Sequence, residues 1–142
     1  MRWETKKELE MGQVVNLYNS VGWSGYAEKP LPLLSGISNS SYVATCWDEE
    51  KLVGLARVIS DDFSIMFLQD ILVNPAYHRK GIGRKLLYMC LDRYQHVRQK
   101  VLLTDDRPEQ LAFYDSLGFS SVRNLTKTVL NAFVRIEGAK LS

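Results

Sequence analysis

Apolar side chains fill both alternating rows of the stretch from Ile65 to Val73: Ile65, Phe67, Ile71 and Val73 on one, Met66, Leu68 and Leu72 on the other. A strand of this kind has to be covered on both faces, which makes it central in a sheet with helices above and below. Asn74 and Pro75 end it. Apolar residues then recur at Ile82, Leu86, Leu87, Cys90, Leu91, Tyr94 and Val97, the stripe of a helix of about four turns. KVLLT, at 100–104, reads as a further short strand. Strand, helix and strand make a crossover, so the strands at 64–73 and 100–104 are expected to lie parallel.

Upstream, YVATCW and KLVGLARVI are rich in β-branched and aromatic residues and are separated by DEEK, with SDDF before the central strand. They read as the first two strands of an antiparallel meander. Met11, Val14, Val15 and Tyr18 are spaced as an amphipathic helix, which a capping box at Thr5 and Glu8 would start earlier and a first strand near Trp3 would delay. The stretch from Asn19 to Ser40 reads as a long loop with a short helix at best. Downstream, Pro108 opens a helix that carries Leu111, Tyr114 and Leu117 on one face, and Gly118 closes it. FSSVRN and TVLNAFVRI alternate as a closing hairpin. The expected class is α+β: a mixed, mostly antiparallel sheet with a central parallel pair and helices on both faces.

With 142 residues, the chain is the size of one domain, expected to span 1–142. A net charge of +2 gives no general attraction to nucleic acid or membrane. No apolar run approaches the roughly 18 residues of a membrane span, and MRWETKKELE lacks a secretory core, so a cytoplasmic location is expected. Cys46 and Cys90, without a CxxC pair or a Cys/His cluster, indicate neither disulfide nor metal site.

The chemistry concentrates in HRKGIGRKLL, residues 78–87, between the buried strand and the amphipathic helix. Gly81 and Gly83 remove side chains where the chain turns into the helix, opening backbone N–H groups to a ligand with the positive end of the helix dipole behind them. Arg79, Lys80, Arg84 and Lys85 surround that turn with cations, a set suited to a diphosphate. The dinucleotide fingerprint would need a glycine in place of Leu86, and the Walker A pattern would need Gly-Lys-Ser/Thr; neither is met.

The loop fits Gln/Arg-x-x-Gly-x-Gly/Ala at both glycines but not at its first position, and the match extends to ILVNPAYHRKGIGRKLL and to LAFYDSLGF. Over residues 42–120 the chain resembles the GCN5-related N-acetyltransferases, the GNAT superfamily. The resemblance implies an enzyme moving an acetyl group from acetyl-CoA to a primary amine of a small molecule or peptide by direct attack in a ternary complex. It implies that the main chain of Ile71, Leu72 and Val73 aligns the pantetheine arm, that the N–H of Val73 serves the oxyanion, and that the turn from Arg79 through Gly81, Ile82 and Gly83 to Lys85 holds the pyrophosphate. His78 replaces the motif's Gln or Arg. Arg107 replaces an Asn, seven residues before the helix tyrosine, that often contacts the cofactor.

The same resemblance makes Tyr114 the general acid for the departing thiolate; by spacing alone it would be an aromatic residue closing the core, its hydroxyl bonded to main chain. Asp70 is singled out by the residues themselves, because a carboxylate inside an apolar strand is costly unless paired or protonated. It reads as the general base for the substrate ammonium or, structurally, as an Asp that bonds main chain at a bulge or pairs with Arg57 on the adjacent strand. Trp23, Tyr26 and Glu28, with Phe133 of the hairpin, are the expected acceptor lining. No metal and no nucleic acid are expected, and the family allows a homodimer. A non-catalytic acyl-CoA-binding module is the competing function.

Overall fold

The computed structural model describes every residue from Met1 to Ser142, and the chain divides into two compact units, Met1–Leu103 and Thr104–Ser142. In the first, β1 (Arg2–Glu4) is followed by helices α1 (Met11–Ser20), α2 (Ser24–Ala27) and α3 (Pro30–Ser38). Then come β2 (Tyr42–Asp48), β3 (Lys51–Ser60), β4 (Ile65–Val73), α4 (Ile82–Arg93) and β5 (Gln99–Leu102).

The short strand near Trp3 forms, and the helix behind it starts late. Thr5 and Glu8 make no capping box; Glu10 caps α1 instead, its carboxylate accepting from the N–H groups of Gly12 at 2.9 Å and Gln13 at 3.0 Å. The expected long loop from Asn19 to Ser40 contains two helices. α3 has Pro30 in its first turn, where the missing N–H costs nothing, and buries Leu33 and Ile37 one turn apart. That i, i+4 pair was the overlooked signal.

The sheet runs β1-β2-β3-β4-β5, antiparallel except for β4 and β5, which are parallel as the crossover requires. On one face α1 and α3 pack Val14, Leu17, Tyr18, Leu33 and Ile37 against Leu55 and Leu72 of the sheet. On the other face lies α4. It comes so close that a Cβ on Gly54 would sit 3.0 Å from Ile82 Cγ2 and 3.1 Å from Leu86 Cδ1, so a glycine in β3 sets the depth of that packing.

β4 departs from simple alternation. Met66, Leu68, Asp70 and Leu72 are buried, whereas Gln69 is exposed and Ile65, Phe67, Ile71 and Val73 are half-buried, so only one of the two expected apolar rows is fully covered. The register with β3 shifts between Arg57 and Val58: Val58 faces Leu68 but Arg57 faces Asp70, leaving Gln69 as the extra residue of a bulge. Cross-strand partners share a face. Leu68 therefore lies on the α4 side with Val58, and Asp70 on the α1 side with Arg57.

In the second unit, α5 (Pro108–Ser116) ends as expected, with Gly118 at φ 88° just past the helix. The closing hairpin does not form: after a single 3₁₀ turn at Val122–Asn124 there is neither helix nor strand to Ser142. Val129 is 84% exposed and Phe133 92%. Alternation makes a strand only where a second strand supplies hydrogen-bond partners, and here none is joined to it.

Candidate active site

The backbone of β4 provides the first part of the site. Its ladder to β5 covers only Ile65–Leu68 against Gln99–Leu102, whereas its ladder to β3 continues to Val73 opposite Gly54. From Gln69 to Val73, therefore, one edge of β4 has no strand on it. That stretch contains Ile71, Leu72 and Val73, and an extended amide-bearing arm laid there would find the donors and acceptors of an unfinished sheet.

The second part is the turn after it. Asn74 donates its N–H to Val53 O at 2.8 Å, and its side chain receives the Ala76 N–H at 2.9 Å, which locks the exit from the strand. His78 Nε2 lies 3.0 Å from Val73 O and ties the turn back to the last residue of β4. Arg79 and Gly81 both have left-handed backbone, φ 64° and 76°. A non-glycine residue in that region is strained, and strain of this type collects where the surroundings hold a functional geometry. Gly81 is the N-cap of α4 and, having no side chain, leaves the helix without a side-chain cap. The first-turn amides are thus presented to an anion, and the local geometry fits a diphosphate. Gly83 sits within the first turn, where a Cβ would be 3.7 Å from Val73 Cγ2, an ordinary contact.

Two of the four expected cations lie on aromatic rings. Lys80 Nζ lies 5.4 Å from the centre of the Tyr77 ring and Lys85 Nζ 4.5 Å from that of Trp3. Both are held by cation–π contacts and remain long enough to swing to a phosphate. Tyr77 is fixed in turn by its hydroxyl, which donates to Asp48 at 2.6 Å. A cleft of about 440 Å³ opens elsewhere in this unit, lined by Gln13, Asn16, Asp48, Glu49, Lys51 and Asn74. Its acidic rim suits a diphosphate poorly, and the glycine turn takes no part in it.

Asp70 is paired with Arg57 and sits beside a bulge of β4. Arg57 Nε donates to Oδ2 at 2.6 Å and Tyr18 Oη donates to the same oxygen at 2.9 Å. The Arg57 guanidinium also reaches Ser40 Oγ at 3.4 Å and passes Gly36 of α3, where a Cβ would stand 3.3 Å from Nη1. Burial pushes the Tyr18 phenol well above its ordinary range, and the Asp70 charge and hydrogen bond add to that. For Arg57, burial opposes the charge, but the bond to Asp70 and its charge outweigh burial and raise the guanidinium further.

Trp23 and Tyr26 gather around Tyr18. The Tyr18 centroid is 6.0 Å from that of Trp23 and 5.7 Å from that of Tyr26, and those two are 6.2 Å apart. Glu28 is the C-cap of the short helix α2.

In the second unit, Tyr114 is buried on α5, with Phe113 at 5.1 Å and Phe119 at 5.9 Å between ring centres. Its phenol is pushed up to about 12, by burial first and then by the charge of Asp105. The hydroxyl makes no hydrogen bond to the main chain, contrary to the purely structural reading of this residue, and no buried side-chain oxygen lacks a partner, so it reaches the surface. Arg107 caps α5 through its backbone, and its side chain is committed to Asp105 at 2.8 Å and, more loosely, to Glu109 at 3.7 Å. Phe133 stands in the stretch without regular structure, and the hairpin that was to present it is absent. Cys46 and Cys90 are buried; burial raises both thiols, Cys90 to about 12, which keeps them unreactive.

A five-stranded sheet parallel only at β4–β5, with an unpaired β4 edge leading into an uncapped glycine turn, defines an acyl-CoA-type transferase fold. The family described as "Acetyltransferase (GNAT) family" matches residues 11–119, and the chain belongs to it. Among curated relatives, the "Uncharacterized N-acetyltransferase ycf52" of Pyropia yezoensis is 24% identical over 120 residues, covering 81% of this chain and 67% of its own length. That of Gracilaria tenuistipitata var. liui is 29% identical over 124 residues, covering 78% and 65%. The chain thus spans about two thirds of the length of these relatives. Among solved structures, a GNAT family acetyltransferase of Streptococcus pneumoniae TIGR4 superposes with a TM-score of 0.74 at 28% identity, covering 92% of this chain and 97% of that one. AAC(6')-Iy in complex with a CoA bisubstrate analogue has the same fold, with a TM-score of 0.67 at 15% identity, covering 95% and 98%. No helix is long and apolar enough to cross a membrane.

Proposed function

We propose that the chain transfers an acetyl group from acetyl-CoA to a primary amine. The observation that carries this reading is the continuity of the open β4 edge with the glycine turn, Ile71 to Val73 leading through His78 and Gly81 to the start of α4. An arm of amides followed by a diphosphate is the ligand such a path fits. The family supports the donor, and the AAC(6')-Iy analogue joins CoA to an amine substrate in a chain of this fold.

Bound acetyl-CoA would supply the thioester that the amine attacks, leaving amide and free thiol. The chain's own residues supply the rest. Val73 N–H polarises the carbonyl, the Gly81–Lys85 turn anchors the phosphates, and Asp70 receives the proton that frees the amine lone pair. Tyr114, a phenol kept protonated by burial, gives a proton to the leaving sulfur.

Calorimetry with CoA tests the donor site: the wild-type chain binds and Gly81→Glu does not, and equal binding by both would overturn the assignment. Release of CoA thiol that depends on added amine separates the enzyme from a module that only binds acyl-CoA.

A further inference from the structure

Asp70 has one oxygen left over. The residue is 4% exposed, and both of its donors, Tyr18 Oη and Arg57 Nε, go to Oδ2. Oδ1 receives no hydrogen bond from the protein, yet no buried side-chain oxygen or nitrogen is without a partner, so Oδ1 is the atom through which this carboxylate meets the surface. A nearly buried carboxylate with two donors on one oxygen and no protein donor on the other has a place for one further donor. Arg57 holds the carboxylate in place at 2.6 Å, and an ammonium is the strongest donor that fits a single oxygen.

The surroundings decide which ammonium. Tyr18 joins Asp70 to an aromatic surface: its ring meets Tyr26 at 63° and Trp23 at 57°, and these two outer rings are 40% and 36% exposed. Over α1, α2 and α3, from Met11 to Ser40, the only acidic residue is Glu28 and the only basic one Lys29. The wall is therefore aromatic and close to neutral, and beneath it lie one carboxylate and one guanidinium.

We infer that the acceptor is a monocationic primary amine on an aromatic or apolar body, its ammonium on Asp70 Oδ1 and its body against Trp23 and Tyr26. The inference rests on the transferase reading above. A polyamine or an aminoglycoside brings several ammonium groups, each of which loses water on entering; this surface offers one open carboxylate, and Arg57 behind it repels further positive charge. An aryl or apolar body instead gains contact with two exposed rings, and its charge gains cation–π attraction to them.

Two measurements on the intact chain test this. Quenching of tryptophan fluorescence by 2-phenylethylamine, spermidine and kanamycin reads amine binding without a donor, and thiol release from acetyl-CoA reads turnover of the same three. The expected result is kcat/KM for 2-phenylethylamine about tenfold or more above the two polycations, the scale on which a matched apolar contact discriminates. Trp23→Ala and Tyr26→Ala, at exposed positions that leave the core intact, should each raise KM for 2-phenylethylamine several-fold while CoA affinity by calorimetry stays the same. Asp70→Asn should abolish amine quenching. A preference for spermidine or kanamycin, or an unchanged KM in both ring variants, would overturn the inference. Loss of CoA binding in the wild-type chain would instead overturn the transferase reading, and quenching by the three amines would still decide this one.

Discussion

Arg57 and Asp70 are cross-strand partners at the β4 bulge, with Nε 2.6 Å from Oδ2 and both side chains nearly sealed from water. Without the bulge, Asp70 would share the α4 face with Leu68, away from Arg57; the extra residue Gln69 is what brings the charges together. Removing the cation strands a buried carboxylate. Arg57→Leu is expected to destabilise the fold by about 3 to 5 kcal/mol, whereas Arg57→Leu with Asp70→Leu should recover much of that loss. Urea unfolding of the three variants measures it, and a single-variant loss below about 1 kcal/mol would contradict the pairing.

The two loop glycines should respond to alanine with opposite signs. Gly81 is left-handed at φ 76°, so Gly81→Ala is expected to cost about 1 to 2 kcal/mol although nothing lies within 4 Å of the added Cβ. Gly83 is inside α4 with room for a Cβ, so Gly83→Ala is expected to stabilise by about 0.5 to 1 kcal/mol. The folded chain alone gives Gly83 no purpose. Its purpose is expected in calorimetry, where Gly83→Ala binds CoA more weakly despite its higher melting temperature.

How far such features were legible follows from the range of the forces involved. The central strand, the crossover and the glycine turn are local patterns, and each appears where the spacing of Ile82, Leu86 and Cys90 or the pair Gly81 and Gly83 places it. A bulge was legible only as one alternative for Asp70; its place at Gln69 was not, because burial at 66, 68, 70 and 72 has the period of an ordinary strand while the faces switch between 68 and 70. The hairpin failed for the converse reason. TVLNAFVRI has the right alternation, but a strand exists only through a partner, which no local pattern supplies. The surroundings of Asp70 were only half legible: Arg57 lies on the adjacent strand, but the second donor, the Tyr18 hydroxyl, comes from 52 residues away.

His78 stands where the family motif has Gln or Arg, and its ring holds the Val73 carbonyl at 3.0 Å. A side-chain amide can donate to that carbonyl; an aliphatic side chain cannot. His78→Gln is expected to keep CoA affinity, and His78→Leu to lose about 1 kcal/mol of it, roughly fivefold in Kd. Equal affinities for the two variants in calorimetry would show that the contact does not hold the turn.

Phe133 and Val129 give a prediction of opposite character. Side chains 92% and 84% exposed contribute no burial to the folded chain, so Phe133→Ser and Val129→Ser are expected to change unfolding free energy by less than about 0.5 kcal/mol. Had the hairpin formed and packed, the same substitutions would cost about 2 kcal/mol or more each. Urea melts distinguish the two.

Tyr114 couples stability to alkaline pH. In the unfolded chain its phenol ionises near 10, and in the folded chain only at about 12. Between those values the folded state binds the proton that the unfolded state has released, so the unfolding free energy falls as pH rises through this window, and the contribution is complete below pH 10. Tyr18 is shifted the same way, by burial first and then by Asp70, and acts in the same direction. Unfolding free energies measured from pH 9 to 12 should therefore decline less steeply in Tyr114→Phe than in the wild-type chain, and ultraviolet titration of the native protein should show one fewer late-ionising phenol. A Tyr114→Phe profile that superimposes on the wild type would mean that this hydroxyl loses its proton as readily in the folded chain as in water, and it would then no longer be held protonated for the sulfur it is proposed to serve.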